Sequence, residues 1–209
     1  GRLSFPTATA AAATLASCSI VGAFTLNPWF GVVATGYFGL TITYSLVLKN
    51  IALVDVMALS IGYVLRAIAG AVLIGVPISP WLYIITSLGS LLIGVGKRRT
   101  ELALVVEANP DLEWRTQQRG VLRDYSVHLL DQFIAVLAPS TLIAYILYTF
   151  TAMNLPTNHA MMLTIPFVLY GLLRYLYLIY NSNLGETPEE VLLIDKPLIV
   201  TVAMWLATA

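Results

Sequence analysis

Apolar runs of membrane-spanning length alternate along this chain with short polar breaks. The first run, 6–26, opens on Pro6 and is rich in alanine. The second, 29–48, follows the turn Asn27-Pro28 and ends at Lys49. The third covers 54–75 and is closed by Gly75, Pro77 and Pro80; the fourth covers 81–96. After a long polar stretch come runs at 129–151 and 160–180, parted by Asn154, Pro156 and Asn158. A second polar loop, 181–196, precedes a last run from Pro197 to Ala209. About 20 helical apolar residues cross the hydrocarbon core of a bilayer. The pattern therefore predicts an all-α, polytopic membrane bundle of about seven transmembrane helices, the last of them short. The small residues of the first run predict close helix packing rather than lipid exposure.

Composition excludes the soluble alternative. Hydrophobic residues make up 58% of the chain and charged residues 11%, with a mean hydropathy of +0.83. A soluble domain carries about 25% charged residues. The formal net charge of zero points away from a nucleic-acid partner. The lone cysteine, Cys18, can form neither an intramolecular disulfide nor a cysteine metal site, so packing is its expected role. The chain lacks an initiator Met, and Gly1-Arg2-Leu3-Ser4 has no signal-peptide character. It is expected to begin inside a larger chain.

The placement of charge says more than its sum. Six of eleven Lys and Arg residues, and six of eleven Asp and Glu, lie between Lys97 and Asp131. With seven alternating spans, Arg2, Lys49, the 97–124 stretch and Lys196 share one membrane face. Arg66 and Arg174 lie within spans, and the other face carries no charge beyond His159. Basic residues gather on the cytoplasmic side, so the charged face is expected to be cytoplasmic, in the cell's inner (plasma) membrane. Trp29, Trp81 and Trp205 fall near the uncharged face, as interfacial anchors do.

Arg115, Arg119 and Arg123 are spaced to share one helical face, and Lys97, Arg98 and Arg99 close the fourth span. Such a comb of cations suits phosphates. Its blander alternative is anchoring to anionic headgroups, which would not require the interleaved acids. Asp124, His128 and Asp131 also share a helical face, and Glu101 sits one turn after Lys97. Carboxylates beside a phosphate comb point to Mg²⁺ bridged to phosphate oxygens, with Glu101 and Asp131 as candidate ligands; local ion pairing is the alternative. Zinc is not expected without further His or Cys. Asp55 and Arg66 are eleven residues apart and share a face, with Arg66 about 16 Å the deeper. So deep an arginine must line a polar cavity or pair internally. Gly62 and Gly70, on the same face, allow close approach by a helix or ligand. Arg174, nearer its helix end, is expected to snorkel beside a belt of Tyr175, Tyr177 and Tyr180.

Several blocks carry a resemblance. They are Tyr44-Ser-Leu-Val-Leu-Lys49, Asp55, Gly62-Tyr-Val-Leu-Arg-Ala-Ile-Ala-Gly-Ala71, Ile78-Ser-Pro-Trp81 and Gly96-Lys-Arg-Arg-x-Glu-Leu102. Arg119-x-x-Leu-x-x-Tyr-Ser126, Gly185-x-x-Pro-Glu-Glu190 and Asp195 continue the series. Together they resemble the UbiA prenyltransferase superfamily, and most of all its decaprenyl-phosphate phosphoribosyltransferase branch. The resemblance runs the length of the chain. It implies a nine-helix intramembrane transferase domain with a cavity open to the cytoplasm. It also implies Mg²⁺-dependent transfer of 5-phosphoribose from 5-phosphoribosyl 1-diphosphate to a polyprenyl phosphate. With these blocks and the charge pattern together, Tyr44, Lys49 and Tyr125 join Lys97, Arg98, Arg99, Arg115, Arg119 and Arg123 as candidate substrate-binding residues, and Asp55, Arg66, Glu101 and Asp131 are the catalytic candidates. The superfamily's first metal motif, Asn-Asp-x-x-Asp, is absent. Residues 1–209 are thus expected to form one domain lacking two N-terminal helices and that motif, and to be inactive alone.

Two function classes compete. A transferase accounts for the one-sided charge: the donor brings a diphosphate and a 5-phosphate, and the acceptor a further phosphoryl group. A transporter or lipid flippase needs polar groups near the midplane and paired broken helices, and only Arg66 is deep. Within the fold, an aromatic-ring prenyltransferase is the nearer rival. A homo-oligomer stays open.

Overall fold

The computed structural model describes residues 5–77, 79–108, 120–152, 155, 159–181 and 194–209. Among them the chain forms α1 (Phe5–Leu26), α2 (Pro28–Leu46), α3 (Val54–Ile74), α4 (Pro80–Ala108), α5 (Val127–Thr151), α6 (Ile165–Asn181) and α7 (Lys196–Thr208), with no β-strand. Short 3-10 turns occupy Leu48–Asn50, Gly120–Asp124 and Ala160–Thr164. The expectation of an all-α polytopic bundle stands. Thr9–Leu26, Val54–Ile74, Val127–Thr151 and Ala160–Asn181 are each long and apolar enough to cross a bilayer, and the chain is a multi-pass membrane protein. With α2, α4 and α7 they make up the seven helices expected, the last of them short. α2 is diluted by glycine, threonine and tyrosine, and α7 has 13 residues.

Local chemistry sets the helix ends. Asn27 holds extended backbone and its Oδ1 accepts from the N–H groups of Trp29 and Phe30 at 2.8 and 3.4 Å. Pro28 then starts α2, where its missing N–H costs nothing. Ser126 caps α5 through Leu129 N–H at 3.1 Å, and Asp195 caps α7 through Leu198 N–H at 2.9 Å. Gly75, at φ +69°, closes α3 in the left-handed conformation that glycine tolerates. The start of α3 is different: Leu53 holds φ +67° and ψ −42°, where a branched side chain costs about 1–3 kcal/mol.

Helices adjacent in sequence pack in order from α1 to α5, with α4 most extensively against α5 and α3; α6 rests on α5 and α7. The core lies at the charged end of the bundle, where Val56, Leu92, Val95, Leu102, Val121, Leu122, Leu130 and Ile134 converge. α4 approaches its neighbours closely through glycine. A Cβ on Gly94 would meet Val56 Cγ1 at 2.6 Å, and one on Gly96 would meet the Tyr175 hydroxyl at 2.7 Å.

Two expectations are corrected here. α4 does not stop at 96 but runs on to Ala108. The Lys97–Glu101 stretch is therefore packed helix, because carboxylates on neighbouring helices compensate its arginines. α1 is mostly exposed and Cys18 with it. α1 packs chiefly against α2, so the close packing expected around its small residues is not made by the described residues.

Candidate functional site

The charged turn of α4 is sewn to every neighbouring element. Arg98 is 1% exposed and Asp55, in the first turn of α3, is fully buried. Arg98 Nε donates to Asp55 Oδ2 at 2.7 Å, Nη1 to Glu101 Oε2 at 2.6 Å and Nη2 to the Tyr44 hydroxyl at 3.4 Å. The Tyr125 hydroxyl donates to Asp55 Oδ1 at 2.9 Å and accepts from Leu53 N–H at 2.6 Å. That last bond holds the strained entry to α3. Burial pushes the Tyr125 phenol up to about 12, against a partial lowering by the Leu53 N–H. Asp55 also sits at a helix N-terminus, where the backbone favours an anion.

Arg99 points to a different side. Its Nε donates to Asp131 Oδ1 on α5 at 3.1 Å, its Nη1 to the Ile179 carbonyl at 3.3 Å, and its guanidinium lies 4.4 Å from the Tyr180 ring centroid. Tyr180 donates its own hydroxyl to the same Asp131 oxygen at 3.1 Å. Arg98 and Arg99 are one residue apart, so the two clusters diverge by about 100° around α4.

The third arrangement is a cavity of about 330 Å³ between α2 and α3, lined by Tyr37, Thr41, Tyr44, Gly62, Tyr63 and Arg66 among others. Arg66 donates to the Tyr37 hydroxyl and stacks against the rings of Tyr37 and Tyr63, with centroids 5.0 and 5.1 Å away. Tyr44 belongs to both this cavity and the Arg98 network, and links them.

The sequence-predicted residues thus fall into separate roles. Asp55 and Arg98, marked for catalysis and substrate binding, are each other's buried partners, with both Asp55 oxygens and all three Arg98 nitrogens engaged. Arg66 lines a cavity, and its partner is Tyr37 rather than Asp55 or Asp131: Asp55 stands about 16 Å away along α3, beyond the side chain's reach, and Asp131 is held by Arg99. Arg123 and Asp124 are exposed in a 3-10 turn, and His128 pairs with Gln132 at 3.2 Å. The helical face expected for Asp124, His128 and Asp131 is broken because Ser126 starts α5 afresh. Arg115 and Arg119 lie outside the described residues, as do Gly185, Pro188, Glu189 and Glu190. Lys49 sits half-buried in its 3-10 turn and Lys97 half-buried on α4. Arg174 grips Asp195 with two bonds, at 3.2 and 2.8 Å, and these hold the Asp195 carboxyl below its usual range.

Sequence reasoning missed Tyr37 and Tyr63. The signal was present: Tyr63 precedes Arg66 by three residues and Tyr37 precedes Tyr44 by seven, both helical-face spacings.

For Mg²⁺ the donor set is partial. Among the described residues no group of three or more His, Cys, Asp or Glu could hold a metal. Asp55 has no free oxygen and Glu101 gives one to Arg98. Asp131, 34% exposed, takes both of its donors on Oδ1, leaving Oδ2 available. This fits a Mg²⁺ held chiefly by substrate phosphates with one or two carboxylates added, the common mode for that ion, and does not fit a protein cage.

No family model matches the chain. Curated proteins do. The chain is 30% identical over 197 residues to the decaprenyl-phosphate phosphoribosyltransferase of Mycobacterium tuberculosis, covering 94% of this chain and 63% of that protein. It is 30% identical over 206 residues to the decaprenyl-phosphate phosphoribosyltransferase of Mycolicibacterium smegmatis, covering 94% and 62%. To that of Corynebacterium glutamicum it is 28% identical over 172 residues, covering 81% and 49%. The chain therefore spans less than two thirds of the length of these relatives. The resemblance read from the motif blocks is borne out by them.

Proposed function

We propose that this chain belongs to a membrane enzyme that transfers 5-phosphoribose from 5-phosphoribosyl 1-diphosphate to a decaprenyl-like polyprenyl phosphate, releasing diphosphate. The observation that carries the reading is the match, over 94% of the chain, to relatives named for phosphoribosyl transfer to decaprenyl phosphate. The site faces the cytoplasm from the inner (plasma) membrane, where the soluble donor is made, and the product serves lipid-linked sugar synthesis for the cell envelope. The one-sided placement of Lys and Arg supports that orientation.

The reaction needs little proton chemistry. An oxygen of the acceptor phosphate, already an anion, bonds to C1 of the ribose. The bond from C1 to the diphosphate breaks, and its electron pair leaves with the diphosphate. The task is to stabilise that departing charge, which fixed cations in a low-dielectric site do well. Lys49, Lys97 and Arg123, with Arg115 and Arg119, are the cations for the donor. Arg99 with Asp131 borders them. Arg98 and Asp55 are positioning residues: they fix the α4 turn and hold Tyr44 at the rim of the cavity. When bound, Mg²⁺ would neutralise diphosphate charge, and Asp131 and Glu101 are the carboxylates here that would help hold it.

The test uses the full natural chain with labelled 5-phosphoribosyl 1-diphosphate, a polyprenyl phosphate and Mg²⁺. A labelled lipid-soluble product is expected. Indifference to this donor, with prenylation of an aromatic acid instead, would transfer the assignment to the aromatic branch; neither activity would overturn both.

A further inference from the structure

Arg66 differs from the other arginines of the helices. Arg98 carries Asp55 and Glu101, Arg99 carries Asp131, and Arg174 carries Asp195. Among the described residues no carboxylate lies within ion-pair distance of Arg66. Its partners are a phenol and two aromatic faces, and the residue remains exposed. It also lies deep. Arg66 follows Val54 by twelve residues on α3, about 18 Å along the helix axis. A guanidinium at that depth without a counter-charge is costly, and such residues mark ligand sites or partner anions.

The surrounding cavity states what kind of anion fits. Leu40, Ala58 and Leu59 form apolar walls, and buried Gly62 leaves the space beside Tyr37 open. The Tyr44 hydroxyl accepts from Arg98 at 3.4 Å, which leaves its own O–H to donate. Tyr44 stands two turns from Tyr37 on α2, about 10 Å toward the charged end. The cavity thus has a cation deep within, a hydroxyl donor near its mouth and hydrocarbon walls. A water-soluble sugar diphosphate gains nothing from those walls. An anion carried on a hydrocarbon chain satisfies both features.

We infer that this α2–α3 cavity is the acceptor subsite, in which Arg66, with Tyr37 and Tyr63 holding its guanidinium, binds the phosphate of the polyprenyl phosphate. The inference rests on the transferase reading and divides its site: the lipid phosphate in the cavity, the soluble donor among the cations above Tyr44. Gly62 is required because a side chain there would fill the space the lipid needs.

The test uses the detergent-solubilised full natural chain and two readouts, thermal unfolding and substrate KM. Polyprenyl phosphate should raise the unfolding temperature, while the corresponding polyprenol and inorganic phosphate should not. Arg66→Met should abolish that shift and raise the lipid KM about tenfold or more, as loss of a charge-assisted contact implies, with the donor KM little changed. Arg66→Lys should fall between. Gly62→Leu keeps the arginine and fills the cavity; it too should raise the lipid KM, and it serves if Arg66→Met does not fold. The inference is overturned if polyprenyl phosphate fails to stabilise the natural protein, if it stabilises Arg66→Met equally, or if the folded variants keep the normal lipid KM. It is also overturned if only 5-phosphoribosyl 1-diphosphate stabilises through Arg66. Arg66-dependent lipid binding without phosphoribosyl transfer would leave the subsite standing and remove the reaction; transfer that is indifferent to both variants would do the reverse.

Discussion

Replacing Asp55 by alanine tests whether the buried Arg98 network holds this end of the bundle together. Asp55 is fully buried and accepts from Arg98 at 2.7 Å and from Tyr125 at 2.9 Å. Removing one member of a buried ion pair costs about 3–5 kcal/mol, since the partner is left charged and dry. Arg98 here keeps a second carboxylate, Glu101, at 2.6 Å, so the lower end applies, about 3 kcal/mol. At about 2–4 °C per kcal/mol for a chain of this size, the unfolding temperature should fall by about 6–12 °C. The double variant Asp55→Ala with Arg98→Met removes the stranded charge and should recover at least half of that loss, as apolar replacements of buried pairs do. Thermal or denaturant unfolding in one detergent, compared across the natural chain, the two single variants and the double, measures each term. The reasoning fails if Asp55→Ala unfolds within about 1 °C of the natural protein, less than even 1 kcal/mol would move it, or if the double variant loses the sum of the singles.

Gly94→Ala should destabilise although alanine favours helix by about 1 kcal/mol: its Cβ would lie 2.6 Å from Cγ1 of the stiff, buried Val56, and overpacking costs about 1–3 kcal/mol. Denaturant unfolding reads the sign, and a gain in stability would mean that α3 and α4 do not meet there. Tyr125 keeps its proton up to about pH 12 in the fold but releases it near 10 when unfolded. The stability it contributes is complete below pH 10 and is lost as pH rises from 10 to 12, so the natural protein should lose up to about 2–3 kcal/mol over that interval relative to Tyr125→Phe; parallel pH profiles would contradict this. For orientation, single cysteines at the exposed positions 124 and 159, with exposed Cys18 replaced, should be respectively protected from and reactive toward an impermeant thiol reagent outside intact cells. The opposite pattern would invert the proposed topology.

Much of this architecture is legible from residue order. Runs of membrane-spanning length fixed where most helices lie, because no irregular backbone survives in hydrocarbon, and Asn27-Pro28, Ser126 and Asp195 announce their helix starts through ordinary capping chemistry. The deep Arg66 and the kinship of the motif blocks were also readable, since both depend on residue identity and spacing. The partners of the end of α4 were not legible, for a physical reason. Lys97-Arg98-Arg99 resembles a membrane-surface patch when its neighbours are unknown, and no periodicity reveals that acids 43 and 32 residues away come to meet it.

Partner choice is the part that only the tertiary structure decided. In sequence, Asp55 and Arg66 share a helix face but stand about 16 Å apart along it; in space, Gly94 brings α4 close to α3, and Arg98 pairs with Asp55. Asp55 and Arg98 thus meet in one buried network, while Arg66 meets tyrosines. The sequence determines which residues are charged, how deep they lie and on which helix face they stand, because those follow from a fixed rise and turn per residue. It does not determine which opposite charges meet, because a carboxylate with several arginines within reach is claimed by the one that helix packing delivers at hydrogen-bond distance.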